Sequence, residues 1–432
     1  MNILIILLYC VMVVLIIKKM NDVQLVSPLF WLLVTWGFVF VAWLFSGLKY
    51  NYEISNNAFV YILFNIMCFG VSYFVSFHTK WGKKEKKYKN TDGRVNLQVA
   101  VIISVLGMLL CLGTHLSASG FTFGARDDDF SASFLSNIGT YASLLGLYVW
   151  IYCLIDSIVN DNTLKIHHFV CLIAGVSGSL VTGNRWGVFY ALFSTLLAYL
   201  YGLKLNKKYK YNKYVVFGVL FIVIAAVFYF DYVIKVRFGV RDMITMYNNV
   251  FNTYMSKDTL VMLDHIGPFR RIVEQMIYYF SQEISWFGQI YDSYDFGLSY
   301  GAYEFHYIAR RFGSLATMYN DACINVSNVG SNYAIRAGVY RTVLGSLIVD
   351  FGKRGTCVIV IILGWLSAKS RKKYIKSKSI EHVTNQIIIC LGMVFSVISS
   401  PFADGWAFIF YWMLLVPILN RFYFKKVKKK DN

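Results

Sequence analysis

The stretch KWGKKEKKYKNTDGRVNLQVAVIISVLGMLLCLGTHL, residues 80–116, decides the fold. Its first half, Lys80 to Arg94, is dominated by lysine. Its second half runs about twenty residues from Leu97 without an acid, lysine or arginine, long enough at about 1.5 Å per residue to cross roughly 30 Å of hydrocarbon. A lysine-rich loop abutting an uncharged apolar run is the pattern of a transmembrane helix whose basic end lies in the cytoplasm.

Working outward, similar runs recur near 2–17, 27–46, 58–77, 134–158, 168–182, 185–203, 214–234, 343–368, 384–400 and 405–421, which with 96–117 makes about eleven helical spans. The expected fold is all-α and polytopic, divided into spans 1–8 over residues 1–234, one large outer loop over 235–342, and spans 9–11 with a basic tail over 343–432. Met1–Ile17 has no basic leader and is followed by Lys18-Lys19, so it reads as the first span rather than a cleaved signal. The five loops 18–26, 78–95, 159–167, 204–213 and 369–383, with the tail, then hold 24 lysines and three arginines, and with Asp156 at the inner end of its span that side carries a net charge of +20. The opposite side holds four lysines and eleven arginines and sums to −1. That places the N-terminus outside and the C-terminus in the cytoplasm.

Composition agrees. Hydrophobic residues make up 57% of the 432 positions and charged ones only 15%, with a mean hydropathy of +0.52. The net charge of +19 is therefore explained by membrane flanks and anionic lipid, not by nucleic acid. Seven of the eight cysteines fall in apolar runs and Cys323 stands alone in the outer loop, so neither an outer disulfide nor a CxxC metal site can be built. Asn325-Val326-Ser327 matches a glycosylation sequon at chance level.

The outer loop of 108 residues is too long for a mere connection. Apolar residues at helical spacing between Thr259 and Phe287 predict a helix lying at the membrane interface, kinked or split at Gly267-Pro268. An aromatic-rich stretch follows, from Trp286 to Tyr307.

Four groups of residues could carry chemistry. Arg185, between Gly183 and Gly187 at the outer mouth of two spans, is costly there unless it pairs or meets an anion. Arg336 and Arg341 stand where the loop returns to the membrane, and a guanidinium fork suits phosphate or pyrophosphate. Asp350 and Arg354 are four apart and are expected to form an ordinary intrahelical pair. The cluster Tyr303, Glu304, His306 and Tyr307, followed by Arg310 and Arg311, combines rings that stack on sugars with groups able to take a proton. His265 is a weaker candidate beside Asp264, and Arg270-Arg271 fit the polar face of the interfacial helix. Finally, Arg126 precedes Asp127, Asp128 and Asp129; two of these acids have a metal-binding spacing, but with so many arginines nearby they are expected to pair with cations, and no metal is expected. There is no P-loop and no GxGxxG, so no nucleotide cofactor is expected.

The chain resembles the Wzy-type polymerases of O-antigen and capsular repeat units. The likeness rests on the span topology, the single large outer loop, Gly183-x-Arg185, and Asp350-Phe351-Gly352-x-x-Gly355 with Gly364. Asn184 and Trp186 depart from the family's usual Ser and small residue. The resemblance implies glycosyl transfer on the outer face without metal or cofactor. A growing glycan on undecaprenyl pyrophosphate would pass to the terminal hydroxyl of a fresh lipid-linked unit. Arg185, Arg336 and Arg341 would stabilise the leaving pyrophosphate. His306, Glu304, Asp350 and His265 are all candidates for the base, while Tyr303, Tyr307, Arg310, Arg311 and Arg126 would contact substrate. Expected partners are lipid-linked glycans, membrane lipids and a chain-length regulator. The related lipid A-core ligases are the close competitor. A flippase would need matched halves, and no internal repeat is present.

Overall fold

The structure is a computed structural model that describes residues 27–50, 52–79, 97–119, 134–181, 185–205, 253–267, 270–331, 342–377, 379–403 and 407–428, with a few positions among 4–14 and 224–232. The described residues are mostly helical. Four helices are long and apolar enough to cross a membrane, and several shorter apolar helices accompany them. Of the expected span at 2–17, residues 4, 7 and 9–14 are described and helical, and the span at 214–234 falls mostly outside the described residues.

The chain separates into two compact units. The first comprises 1–80, 240–372 and 392–404. It holds α1 (Pro28–Phe45), β1 (Leu48–Tyr50) and α2 (Asn56–His78), then β2 (Thr253–Met255), α7 (Lys257–His265), α8 (Arg270–Ser293), the single turn α9 (His306–Ala309), α10 (Gly313–Ser331) and most of α11 (Val343–Ser377). The second comprises 81–239, 373–391 and 405–432. It holds α3 (Leu97–Ser119), α4 (Phe134–Val159), α5 (Ile166–Val181), α6 (Arg185–Leu205), most of α12 (Ile380–Phe395) and α13 (Ala407–Lys428).

In the first unit, Pro28 opens α1, where its missing N–H costs nothing, and the Ser55 hydroxyl caps α2 by accepting from the Ala58 N–H. Along α2 one stripe, Val60, Phe64, Met67, Val71 and Val75, is exposed, while Phe59, Ile62, Ile66, Phe69 and Tyr73 are buried. An exposed face as apolar as the buried one is what a hydrocarbon surround selects. The same holds on α3, where Val99, Ile102, Leu106 and Leu109 are exposed.

The all-α expectation needs one small correction. β1 and β2 pair antiparallel, with Leu48 opposite Met255, Lys49 opposite Tyr254 and Tyr50 opposite Thr253. Gly47 makes the turn possible: its φ is +63°, and a Cβ there would stand 1.8 Å from the Thr259 Oγ1.

The interfacial-helix expectation also changes. The split at Gly267 is as the sequence allowed, with α7 and α8 on either side and Gly267 at φ +64°; what differs is the burial. Every residue from 281 to 290 is buried, so the second half of α8 is enclosed on all sides instead of lying along a surface. Phe280 meets Phe38 of α1 edge-on at 4.8 Å, and Phe287 and Tyr291 flank Tyr61 of α2 at 6.2 and 5.0 Å.

The second unit is built on close helix approach. Gly107 of α3 and Gly139 of α4 leave no room for a side chain: added Cβ atoms would lie 2.5 Å from the Ser143 N and 2.7 Å from the Cys111 N. Polar pins cross between helices, Trp150 Nε1 donating to Thr195 Oγ1 at 2.9 Å and Trp412 Nε1 to the Tyr141 carbonyl at 2.8 Å. Helices α5 and α6 form as separate elements, as their sequence suggested, with α6 opening at Arg185.

Candidate functional site

A dense polar arrangement among the described residues of the first unit surrounds Asp350. Its helix, α11, starts where the Val343 N–H donates to the Ser396 carbonyl at 2.8 Å and Thr342 Oγ1 accepts from the Gly345 N–H at 3.1 Å. At Gly352 the backbone leaves helical geometry, with φ +68° and ψ 173°, a conformation essentially reserved for glycine. Asp350 therefore sits at the end of a short first segment and is fully buried.

A turn from Ser299 to Phe305 folds around this carboxylate. Asp350 Oδ1 accepts from the Ser299 hydroxyl at 2.6 Å and the Tyr303 N–H at 3.0 Å, and Oδ2 accepts from the Glu304 N–H at 2.8 Å. The Asp350 carbonyl takes the Tyr300 N–H at 3.0 Å. Tyr300 and Gly301 both have positive φ, +47° and +92°, which turns successive N–H groups inward.

The expected Asp350–Arg354 ion pair is not formed. The break at Gly352 interrupts the helical register that would have stacked them, the Asp350 carboxylate is committed to the turn, and Arg354 is exposed.

The turn delivers several sequence-derived candidates to one place. Glu304 is buried and its carboxylate accepts from the Ser400 hydroxyl. His306 is buried, with its ring 4.0 Å from that of Tyr307 and stacked on Tyr319 at 5.3 Å. Tyr303 is buried with its ring 6.3 Å from Tyr319. Arg310 donates from Nη2 to the Tyr319 hydroxyl at 2.6 Å and stands 4.6 Å from the same ring, while Arg311 is exposed beside it. Burial pushes the nearby Tyr294 phenol up to about 12, with the Asp350 charge adding to the shift and a hydrogen bond from Asn325 opposing it. Around the cationic edge the surface is apolar: Tyr300, Phe305, Ile308 and Phe312 are all exposed.

Other candidates are placed elsewhere or fall outside the described residues. His265 ends α7, exposed, with Nδ1 against its own helix's Val261 carbonyl at 2.7 Å, and it makes no contact with the turn. Arg270 pairs with Asp264 and, at 2.6 Å, with Glu274, which accounts for one outer arginine as an ordinary ion-pair partner. Arg185 opens α6 in the second unit, its side chain lying outside the described residues, as do Arg126, Asp127, Asp129, Arg336 and Arg341 altogether. Among the described residues no group of three His, Cys, Asp or Glu side chains is placed to hold a metal.

Three partners were missed in the sequence: Ser299, Tyr319 and Ser400. Only Ser299 left a trace, in the glycine-flanked run Gly297-Leu298-Ser299-Tyr300-Gly301 that signals a tight turn. Arg371 was also missed. Counted among the cytoplasmic cations, it is in fact buried, donating to Ser27 Oγ and the Tyr73 hydroxyl at 3.0 Å each and lying over the Phe77 ring at 5.2 Å.

Comparison with protein-family models, with characterised proteins and with solved structures finds no match to this chain.

Proposed function

We propose that the chain is a metal-independent membrane glycosyltransferase of the repeat-unit polymerase type, working on the outer face of a bacterial cytoplasmic membrane through about eleven spans. The observation that carries this reading is the turn clamped by Asp350. It gathers a buried carboxyl (Glu304), a buried imidazole (His306) and a cation (Arg310) among aromatic rings, beside exposed apolar side chains suited to a lipid surface.

In this reading the terminal hydroxyl of a lipid-linked unit attacks the anomeric carbon of the growing glycan. The new C–O bond forms as the bond to undecaprenyl pyrophosphate breaks, and the hydroxyl proton passes to a protein base. The pyrophosphate leaves as an anion, so no acid is needed on that side; arginines supply the compensating charge. Arg185, Arg336 and Arg341 keep that role from the family resemblance. Among the four base candidates, Asp350 is best read as a positioning residue, because three donors already occupy its carboxylate. His265 is set aside because it sits apart from the turn. Glu304 and His306 are the bases the geometry favours, with Tyr303 and Tyr307 as sugar-contacting rings and Arg310 with Arg311 facing phosphate.

Purified protein in liposomes, supplied with lipid-linked repeat units, should make polymer without added metal. Glu304→Gln should slow elongation about 100-fold or more while the protein stays folded. Wild-type rates in Glu304→Gln and His306→Gln alike would remove the turn from the chemistry.

A further inference from the structure

The α8 helix carries a second polar feature that the proposed chemistry does not use. Gln275, Gln282 and Gln289 repeat every seven residues, so they line one face with only about 20° of drift per step. Tyr278 and Ser285 fall between them on the same face, and Trp286 borders it. An amphipathic helix at a surface would turn this face to water. Here all six side chains are buried. Gln275 Nε2, Ser285 Oγ and Gln289 Oε1 are enclosed without a hydrogen-bond partner. Leaving such groups unsatisfied costs about 1–3 kcal/mol each, so the face is built for something that both donates and accepts hydrogen bonds.

We propose that this stripe of α8 is a binding track for an uncharged oligosaccharide. The chemistry of the face selects that class. It offers orphan donors and orphan acceptors but no formal charge along the line of glutamines, which suits hydroxyls better than phosphate or a cation. Tyr278 and Trp286 supply flat surfaces for sugar rings. From Gln275 to Gln289 the track runs fourteen residues, about 21 Å, longer than a single sugar. Glu283 stands about a quarter-turn away with both oxygens unpartnered, and burial pushes its carboxyl well above the usual range, which favours the protonated form that can donate. The structure shows the track closed, and a glycan would take the place of whatever covers it.

The inference rests on the polymerase reading for the source of its ligand, yet it can be tested apart from it. The probe is the oligosaccharide pool released by mild acid from the lipid-linked glycans of the producing cell. Binding to the purified full-length protein and polymer elongation are measured side by side, for wild type and for Gln275→Met with Gln289→Met. Methionine keeps the volume and removes the polar atoms, so the melting temperature should hold or rise. The track predicts about tenfold weaker binding in the variant, with shorter polymer. Equal binding by variant and wild type means the stripe holds only internal water, and overturns the track while leaving the polymerase reading intact. Glutamine-dependent binding without elongation keeps the track and overturns the polymerase. No binding by wild type overturns the track outright. If the double variant fails to fold, Ser285→Ala, which trims one orphan hydroxyl, carries the same comparison.

Discussion

Asp350 and Glu304 are 46 residues apart in the chain, and the carboxylate of the first accepts the backbone N–H of the second at 2.8 Å. Glu304 in turn reaches Ser400 with its own carboxylate. One acid holds the main chain so that the next acid is presented, and both are buried. The arrangement separates a positioning carboxylate from one that is a candidate for proton transfer.

Asp350→Ala should unfold the turn. Three hydrogen bonds to a buried carboxylate are lost together, and the stranded N–H groups of Tyr303 and Glu304 add to the cost, for a destabilisation of about 3–5 kcal/mol. Asp350→Asn should rescue only in part, since its amide would point a donor at a donor. Thermal unfolding in detergent measures both. A Asp350→Ala protein as stable as wild type would refute the clamp.

Helix contact in the first unit depends on Gly364, whose added Cβ would lie 2.2 Å from Ser72 Oγ and 2.5 Å from the Phe69 carbonyl of α2. Gly364→Val should therefore lower the melting temperature strongly, by overpacking costing about 1–3 kcal/mol or more. Gly113, with nothing within 4 Å of an added Cβ, is the control: Gly113→Ala should be neutral or gain up to about 1 kcal/mol.

Arg371 should not behave like the lysines around it. Removing it takes a charged donor from the Ser27 and Tyr73 hydroxyls, which still bond each other at 3.2 Å, and empties a buried site, so Arg371→Ala should cost about 1–3 kcal/mol, and Arg371→Lys should fail to restore both bonds. Lys369→Ala, by contrast, should change stability by less than about 1 kcal/mol. Equal effects for the two residues in thermal unfolding would show that charge alone matters there.

Glu283 should make stability fall as pH rises. Burial raises its folded carboxyl well above the usual value. Below about pH 4.5 the acid is protonated in both states and imposes no penalty. Above that pH the unfolded chain gives up its proton while the folded chain retains it, so folding is progressively disfavoured until the raised folded value is reached. Glu283→Gln should remove this slope and melt several degrees higher at pH 7. A wild-type and variant pair whose melting temperatures run parallel from pH 4.5 to 8 would contradict the burial.

The helical, apolar character of the chain was legible in the sequence because its signals are local. The run after Leu97 has to pair its own backbone groups in an apolar surround, which a helix does with no help from elsewhere, and α3 forms there. The serine caps of α2 and α7 are likewise short-range. The cluster from Tyr303 to Arg311 was visible by composition, as aromatic rings crowded with a carboxylate, an imidazole and two guanidiniums. Its partners were not visible: Ser400 lies 96 residues from Glu304, and nothing around it marks it out.

What the sequence by itself determined is a helical chain with apolar helices suited to a membrane, and a segment of 108 residues, 235–342, without a run long enough to cross and too long for a mere connection. Only the tertiary structure decided that Asp350 serves a turn and not Arg354, that Arg371 is buried, and that the polar face of α8 is enclosed. The reason is physical. Helix formation in an apolar medium follows from the composition of about twenty consecutive residues, whereas a buried polar group is satisfied by whichever donor the fold brings near, and sequence distance does not encode that choice.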